Sequence, residues 1–173
     1  CEDGTLNLDD FEKKILNNVK IVSIIHQSNV TGIINDIKKI IDISHINGAK
    51  VLVDAAQSVS HIKTDVKKLN CDFLVFSGHK MFASTGVGIL YGKENILENM
   101  DPFLFGGQMI NIVERQSSTY NDIPHKFEAG TPNISEVISL GASIDFLNEI
   151  GFQKIKTHMS IFSKFYLDFL NYF

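Results

Sequence analysis

Lys80 stands at the end of an apolar run, Phe73-Leu74-Val75-Phe76-Ser77-Gly78-His79-Lys80, that breaks abruptly from hydrophobic to polar. Such a run reads as a buried strand delivering one amine into a site. Withdrawal of water and nearby cations disfavour the ammonium form, whose free pKa is about 10.4. A neutral lysine amine attacks carbonyl carbon, which is the chemistry of a Schiff base. Two other apolar runs break in the same way. Lys50-Val51-Leu52-Val53 gives way to Asp54-Ala55-Ala56-Gln57, and Ile21-Val22-Ser23-Ile24-Ile25 gives way to His26-Gln27-Ser28-Asn29.

Three strand ends that carry polar groups mark one crevice, because open and mostly parallel sheets bind ligands outside the carboxyl ends of their strands. The aldehyde that proteins most often hold on a lysine is pyridoxal phosphate. Taken singly, Asp54 reads equally well as a turn acid, and Ser77 and Gly78 as ordinary strand-exit residues. Their joint order and spacing point to the cofactor site.

The connecting segments suit that geometry. Between the first two strands, apolar residues at 37, 40 and 41 follow a capping side chain, and Gly48 stands where a left-handed C-cap belongs. A shorter helix is expected around Asp65–Leu69, and Gly88-Ile89-Leu90-Tyr91-Gly92 as a further strand. Farther on, Asn133-Ile134-Ser135-Glu136 has the form of a capping box and opens a helix that Gly151 ends. A second helix follows with an apolar stripe at Ile155, Met159, Phe162, Tyr166 and Phe169, expected to leave an unusually apolar exposed patch.

Composition narrows the classes. The 173 residues, 44% of them hydrophobic, supply one sizeable core of an α/β protein. A formal charge of -4 and a pI near 5.8 lack the clustered basic excess that a nucleic-acid surface needs. No apolar stretch reaches the roughly 18 to 20 residues that span a bilayer. The two cysteines make no disulfide framework, and none of the six histidines has metal-ligand spacing, so no metal is expected. His45 is read as lying near a helix C-terminus, His158 on a helix face, and His125 in a polar, solvent-facing loop over 116–126. The chain begins at Cys1, which neither indicates nor excludes a leader.

With these motifs in hand, the chain resembles the class-V aminotransferase group of pyridoxal-phosphate enzymes, and most closely its SufS-type (group II) cysteine desulfurases, which also act as selenocysteine lyases. The likeness runs through Ser28-Asn29-Val30-Thr31-Gly32, Gly48–Asp54, Cys71-Asp72-Phe73, Ser77-Gly78-His79-Lys80, Thr85–Tyr91, Gly106-Gly107-Gln108-Met109-Ile110 and Phe127-Glu128-Ala129-Gly130-Thr131-Pro132-Asn133. The last motif favours the SufS side over the NifS and IscS type. The fold implied is α/β, the three-layer, mostly parallel sheet of the fold type I large domain, incomplete at both ends. Residues 1–150 would form part of the cofactor-binding domain, and 151–173 a helix leading toward a small C-terminal domain.

The resemblance also implies roles. Lys80 would bind pyridoxal 5'-phosphate covalently and then move protons. Asp54 would accept a hydrogen bond from the pyridine nitrogen, Gln57 would donate to the ring hydroxyl oxygen, and Asn29 would lie along the same edge. Ser77 and His79 would bind the phosphate, and Thr131 would reach the phosphate of the neighbouring protomer, making the site a property of a homodimer. The reaction implied is sulfur removal from L-cysteine for iron-sulfur cluster assembly in the SUF pathway, with a SufE-like acceptor as partner. Where the family commonly has Gly-Pro-Thr-Gly, this chain has Ala83-Ser84-Thr85-Gly86, which should loosen the turn after the lysine.

The family's ring-stacking group and first phosphate threonine are expected upstream of Cys1. Its sulfur-attacking cysteine and carboxylate-binding arginine are expected downstream of Phe173, so the chain alone is expected to be inactive. Cys71, at the start of a buried strand, and Cys1 are rejected as persulfide carriers. Other class-V enzymes (selenocysteine lyase, aminotransferase, kynureninase-like) and a non-catalytic dimerising fragment are the alternatives. The compartment implied is a plastid-type organelle such as the apicoplast in a eukaryote, and otherwise the bacterial cytoplasm.

Overall fold

A four-stranded sheet forms the centre of the computed structural model, which describes residues 1 and 3–172. The chain runs through α1 (Leu8–Ile15), β1 (Ile21–Ile25), α2 (Ile37–Ile46), β2 (Lys50–Asp54), the short α3 (Val66–Leu69) and β3 (Phe73–Ser77). A 3-10 turn, Gly78–Met81, leaves the sheet before β4 (Gly88–Gly92). There follow α4 (Glu94–Glu98), a hairpin of β5 (Ile110–Val113) and β6 (Ser118–Tyr120), a second 3-10 turn at His125–Phe127, and helices α5 (Ile134–Ile150) and α6 (Phe152–Leu170).

Strand order is β1-β2-β3-β4. The first two pairings are parallel and the last is antiparallel, so the expected α/β, mostly parallel sheet is what forms. Each parallel crossover is helical, through α2 and then α3, as a βαβ connection requires. Asp36 caps α2 by accepting from the Lys39 N–H, and Gly48, at φ +76°, takes the left-handed conformation expected just past that helix. Asp65 caps α3 through the N–H groups of Lys67 and Lys68.

The alternation of β-strand side chains sorts the sheet into two unlike faces. Val51, Val53 and Leu74 pack against Ile37 and Ile41 of α2 and Leu140 and Leu147 of α5, which forms the core. The other face carries Leu52, Asp54, Val75 and Ser77, and there Ile21 and Leu90 are each 53% exposed. Of the three layers expected, the described residues build the sheet and the helices on one side of it.

Three local expectations change. Asn133 and Glu136 make no capping box. The Asn133 amide instead donates to the Gly86 carbonyl at 3.0 Å, because the segment ahead of α5 lies against the turn after Lys80. The stretch 116–126 is only partly loop, since Ser118–Tyr120 pairs with β5 as β6. His45 does more than sit near a helix end: its Nε2 lies 2.7 Å from the Asp72 carboxylate. Most of the stripe on α6 is exposed as expected, with Met159, Phe162, Tyr166 and Phe169 all about half accessible, but Ile155, in the first turns of the helix, is partly buried against the core. No helix among the described residues is long and apolar enough to cross a membrane.

Candidate active site

The carboxyl ends of β1, β2 and β3 meet at one edge of the sheet. Ile25 is in register with Asp54, and Asp54 with Val75, so the three strands leave the sheet together. Hydrogen bonding continues past the strand ends: the His26 N–H donates to the Asp54 carbonyl at 2.8 Å, and the Ala55 N–H to the Val75 carbonyl at 2.9 Å. The Asp54 side chain is fixed by one bond, Oδ1 accepting from the Ala56 N–H at 2.9 Å. Ser77 lies two residues beyond Val75 and therefore on the same sheet face as Asp54.

The exit from β3 depends on Gly78. Its N–H donates to the Val87 carbonyl at 2.9 Å, and a Cβ there would stand 2.6 Å from Val87 Cγ1, so a side chain would force the turn away from β4. The 3-10 turn then presents His79 and Lys80, both exposed. This corrects the expectation of a dry amine: the turn carries Lys80 past the sheet edge, and no wall built from the described residues covers it.

Gln57 is half-buried in the turn that follows β2. Asn29 is exposed in the loop after β1, which is closed by a bridge between Gln27 and Ile34 and by Ser28 Oγ accepting from the Val30 and Thr31 N–H groups. Asp54, Gln57, Ser77, His79 and Lys80 are thus brought to one edge, with Asn29 on the adjoining loop. Thr131 is exposed and follows Gly130, whose N–H donates to the Gly107 carbonyl at 2.8 Å, in the segment ahead of α5 where Asn133 bonds the Gly86 carbonyl.

The donor set fits a phosphorylated pyridine aldehyde. Among the described residues no side-chain hydrogen bond engages Asn29, Gln57, Ser77, His79 or Lys80, so the edge holds an amine, a hydroxyl, an imidazole, amides and a singly bonded carboxylate with capacity to spare. A carboxylate accepts from a protonated ring nitrogen, hydroxyl and imidazole donors suit a phosphate dianion, and an amine suits an aldehyde. Among the described residues no three metal-ligating side chains converge.

Sequence reasoning missed two further clusters. His61 Nε2 lies 2.5 Å from Gln27 Oε1 and its Nδ1 lies 3.1 Å from Ser60 Oγ, tying the loop after β2 to the loop after β1. Beside it, His26 is buried with Nδ1 unpartnered. Burial, then the charge of His61, push His26 below the ordinary histidine value, and burial lowers His61 too. The only signal in the sequence was the polar break after β1.

The second cluster lies at the opposite, amino edge of the sheet. Asp72 is 1% exposed and accepts from the Val51 N–H at 2.8 Å and from Lys93 at 3.2 Å as well as meeting His45. Burial raises its carboxyl pKa, but the bonds from His45, Val51 and Lys93 outweigh that and hold it below the usual range. Cys71, next to it, has no accessible surface, and burial pushes its thiol pKa up, which suits packing rather than nucleophilic attack.

The chain is similar to several cysteine desulfurases. It is 51% identical over 170 residues to a probable cysteine desulfurase of Halalkalibacterium halodurans, covering 98% of this chain and 42% of that protein. It is 40% identical over 172 residues to a cysteine desulfurase of Haloferax volcanii, covering 99% of this chain and 40% of that one. Among solved structures, the apo cysteine desulfurase of Thermococcus onnurineus superposes with a TM-score of 0.83 at 41% identity, over 87% of this chain and 38% of that chain. The cysteine desulfurase CsdA of Escherichia coli gives 0.80 at 39% identity, over 84% and 37%. The chain therefore spans about 40% of the length of the relatives it matches. The pattern of the aminotransferase class-V family matches residues 1–172, and with the strand-end lysine and acid at one sheet edge this chain belongs to that family.

Proposed function

We propose that this chain is the central part of a pyridoxal-phosphate-dependent cysteine desulfurase. The observation that carries the reading is the placing of Asp54, Ser77 and the Lys80 turn at one carboxyl edge of a parallel sheet, in a chain 51% identical to a probable cysteine desulfurase. Lys80 would hold the cofactor aldehyde and relay protons. Asp54 would orient the ring through its nitrogen, Gln57 and Asn29 would meet the ring hydroxyl edge, and Ser77 and His79 would bind the phosphate. Thr131, exposed on the segment ahead of α5, would complete the site of a neighbouring protomer in a homodimer.

When bound, the cofactor supplies an electron sink that stabilises a carbanion next to the substrate amine. The overall change breaks the C–S bond of L-cysteine: alanine leaves, and the sulfur joins an enzyme thiol as a persulfide. Neither Cys71, which is inaccessible, nor Cys1 is proposed as that thiol. A SufE-like acceptor and iron-sulfur cluster assembly follow as the destination of the sulfur, and the SufS subtype follows from the Phe127–Pro132 motif. Residues 151–173 are proposed to lead into a small domain. The relatives named above are bacterial and archaeal, so the bacterial cytoplasm is the compartment proposed, and they lend no support to the plastid-type option.

The test is borohydride reduction of the complete gene product with its cofactor bound, followed by peptide mapping. The label should sit on Lys80, and Lys80→Ala should remove both the label and the visible absorbance. A label on any other lysine overturns the assignment.

A further inference from the structure

Lys80 has a long, exposed side chain that no partner holds, so its aim is set by the backbone of the turn that carries it. That turn holds one feature that is unfavourable on its own. Phe82 has φ +65°, a left-handed conformation that is a genuine outlier for a bulky side chain.

Helix α5 holds the turn in that conformation. Ser143 Oγ donates to the Met81 carbonyl. The Phe146 ring packs edge-on against Phe82, with centroids 6.1 Å apart and planes at 73°. Ser139 Oγ accepts from the Ser84 N–H at 3.0 Å and from Ser84 Oγ at 3.1 Å. Residues 139, 143 and 146 are spaced four and then three apart, so they share one helix face. That face grips residues 81, 82 and 84, and Asn133, just ahead of the helix, bonds the Gly86 carbonyl.

We infer that Ser139 and Ser143 are positioning residues for Lys80, hydroxyl pins by which α5 splints the lysine turn. The inference rests on the reading of Lys80 as the cofactor-binding amine. A backbone that wanders by about 1 Å costs reactive geometry heavily, which is why pins far from the reacting atoms matter.

Ser139→Ala and Ser143→Ala in the complete gene product should each raise amide hydrogen exchange across residues 79–86 by about tenfold, the equilibrium equivalent of one hydrogen bond, and leave β1–β3 unchanged. Attachment of added pyridoxal phosphate to the apoprotein, followed by absorbance, should slow by a similar factor, and Ser139→Thr, which keeps the hydroxyl, should restore both. Unchanged exchange overturns the splint. Raised exchange with an unchanged attachment rate reduces the serines to a structural role and overturns the positioning claim. Ser139, at the rim, carries the test if the buried Ser143→Ala variant fails to fold. If the unaltered protein takes no label at Lys80, the cofactor reading falls by itself, and exchange over 79–86 alone then decides whether α5 holds the turn.

Discussion

Asp54 and Asp72 are two carboxylates with opposite surroundings, and the contrast separates function from stability. Asp54 is half-buried, holds one backbone N–H and faces the open edge of the sheet. Asp72 is closed in and meets His45, Val51 and Lys93. Asp54→Asn should therefore leave the fold and some cofactor binding intact while turnover falls on the order of a hundredfold, the scale of losing one preorganised electrostatic contact. Near-normal cysteine-dependent alanine formation would remove Asp54 from the ring-nitrogen role. Asp72→Ala should leave a buried N–H, the His45 ring and the Lys93 side chain without their acceptor and cost about 3 kcal/mol. Equilibrium urea unfolding measures that cost, and a midpoint within error of the parent would refute it. Both acids follow or precede a hydrophobic strand, but only Asp54 was legible as special. Its strand ended in a cluster of polar residues, whereas the partners of Asp72 are scattered over positions 45, 51 and 93 and meet only in the fold.

At the scale of elements, the strands and the α2 crossover were readable because short apolar runs, capping acids and Gly48 all agree locally. Contacts made at long range were not. The loops after β1 and β2 are joined by His61 to Gln27, 34 residues apart, and α5 reaches back to the lysine turn across 47 to 62 residues. The capping-box reading of Asn133 failed for the same reason, since its amide is drawn to the distant Gly86 carbonyl rather than accepting from the first turn of α5. The loop pair also carries a pH dependence. His26 and His61 titrate below the ordinary value in the folded chain, so the unfolded chain binds more protons as acidity rises. Stability is present above about pH 6.5, the free-histidine value, and is lost progressively as pH falls from there through the lowered folded pKa values. Unfolding midpoints at about pH 7.5 and about pH 5.5 should differ in that direction, on either side of the free value. The difference should shrink in His26→Gln, and a midpoint that does not fall on acidification would count against the lowered values of this histidine pair.

The whole molecule presents more surface than its mass warrants. Its accessible area is 12,017 Å² for 19.4 kDa, against about 8,500 Å² for a compact monomer of that mass. The surplus of about 3,500 Å² exceeds a standard protein–protein interface, which buries about 1,600 Å² in total. It is also apolar where it matters: Phe103, Leu104 and Phe105 are each more than half exposed, Leu90 and Ile21 stand on the bare sheet face, and Phe162 and Tyr166 lie on α6. Surfaces of this kind drive association in water, since each Å² removed contributes about 25 cal/mol, and a net charge of -4 opposes that only weakly. The 173-residue chain produced alone should therefore self-associate at micromolar concentration and bind an environment-sensitive hydrophobic dye. Phe162→Glu combined with Tyr166→Lys breaks the α6 stripe and leaves the core untouched, so it should lower both the sedimenting mass and the dye signal. A chain that stays monomeric and dye-silent would mean that the bare sheet face and α6 are not the sticky surfaces their exposure implies.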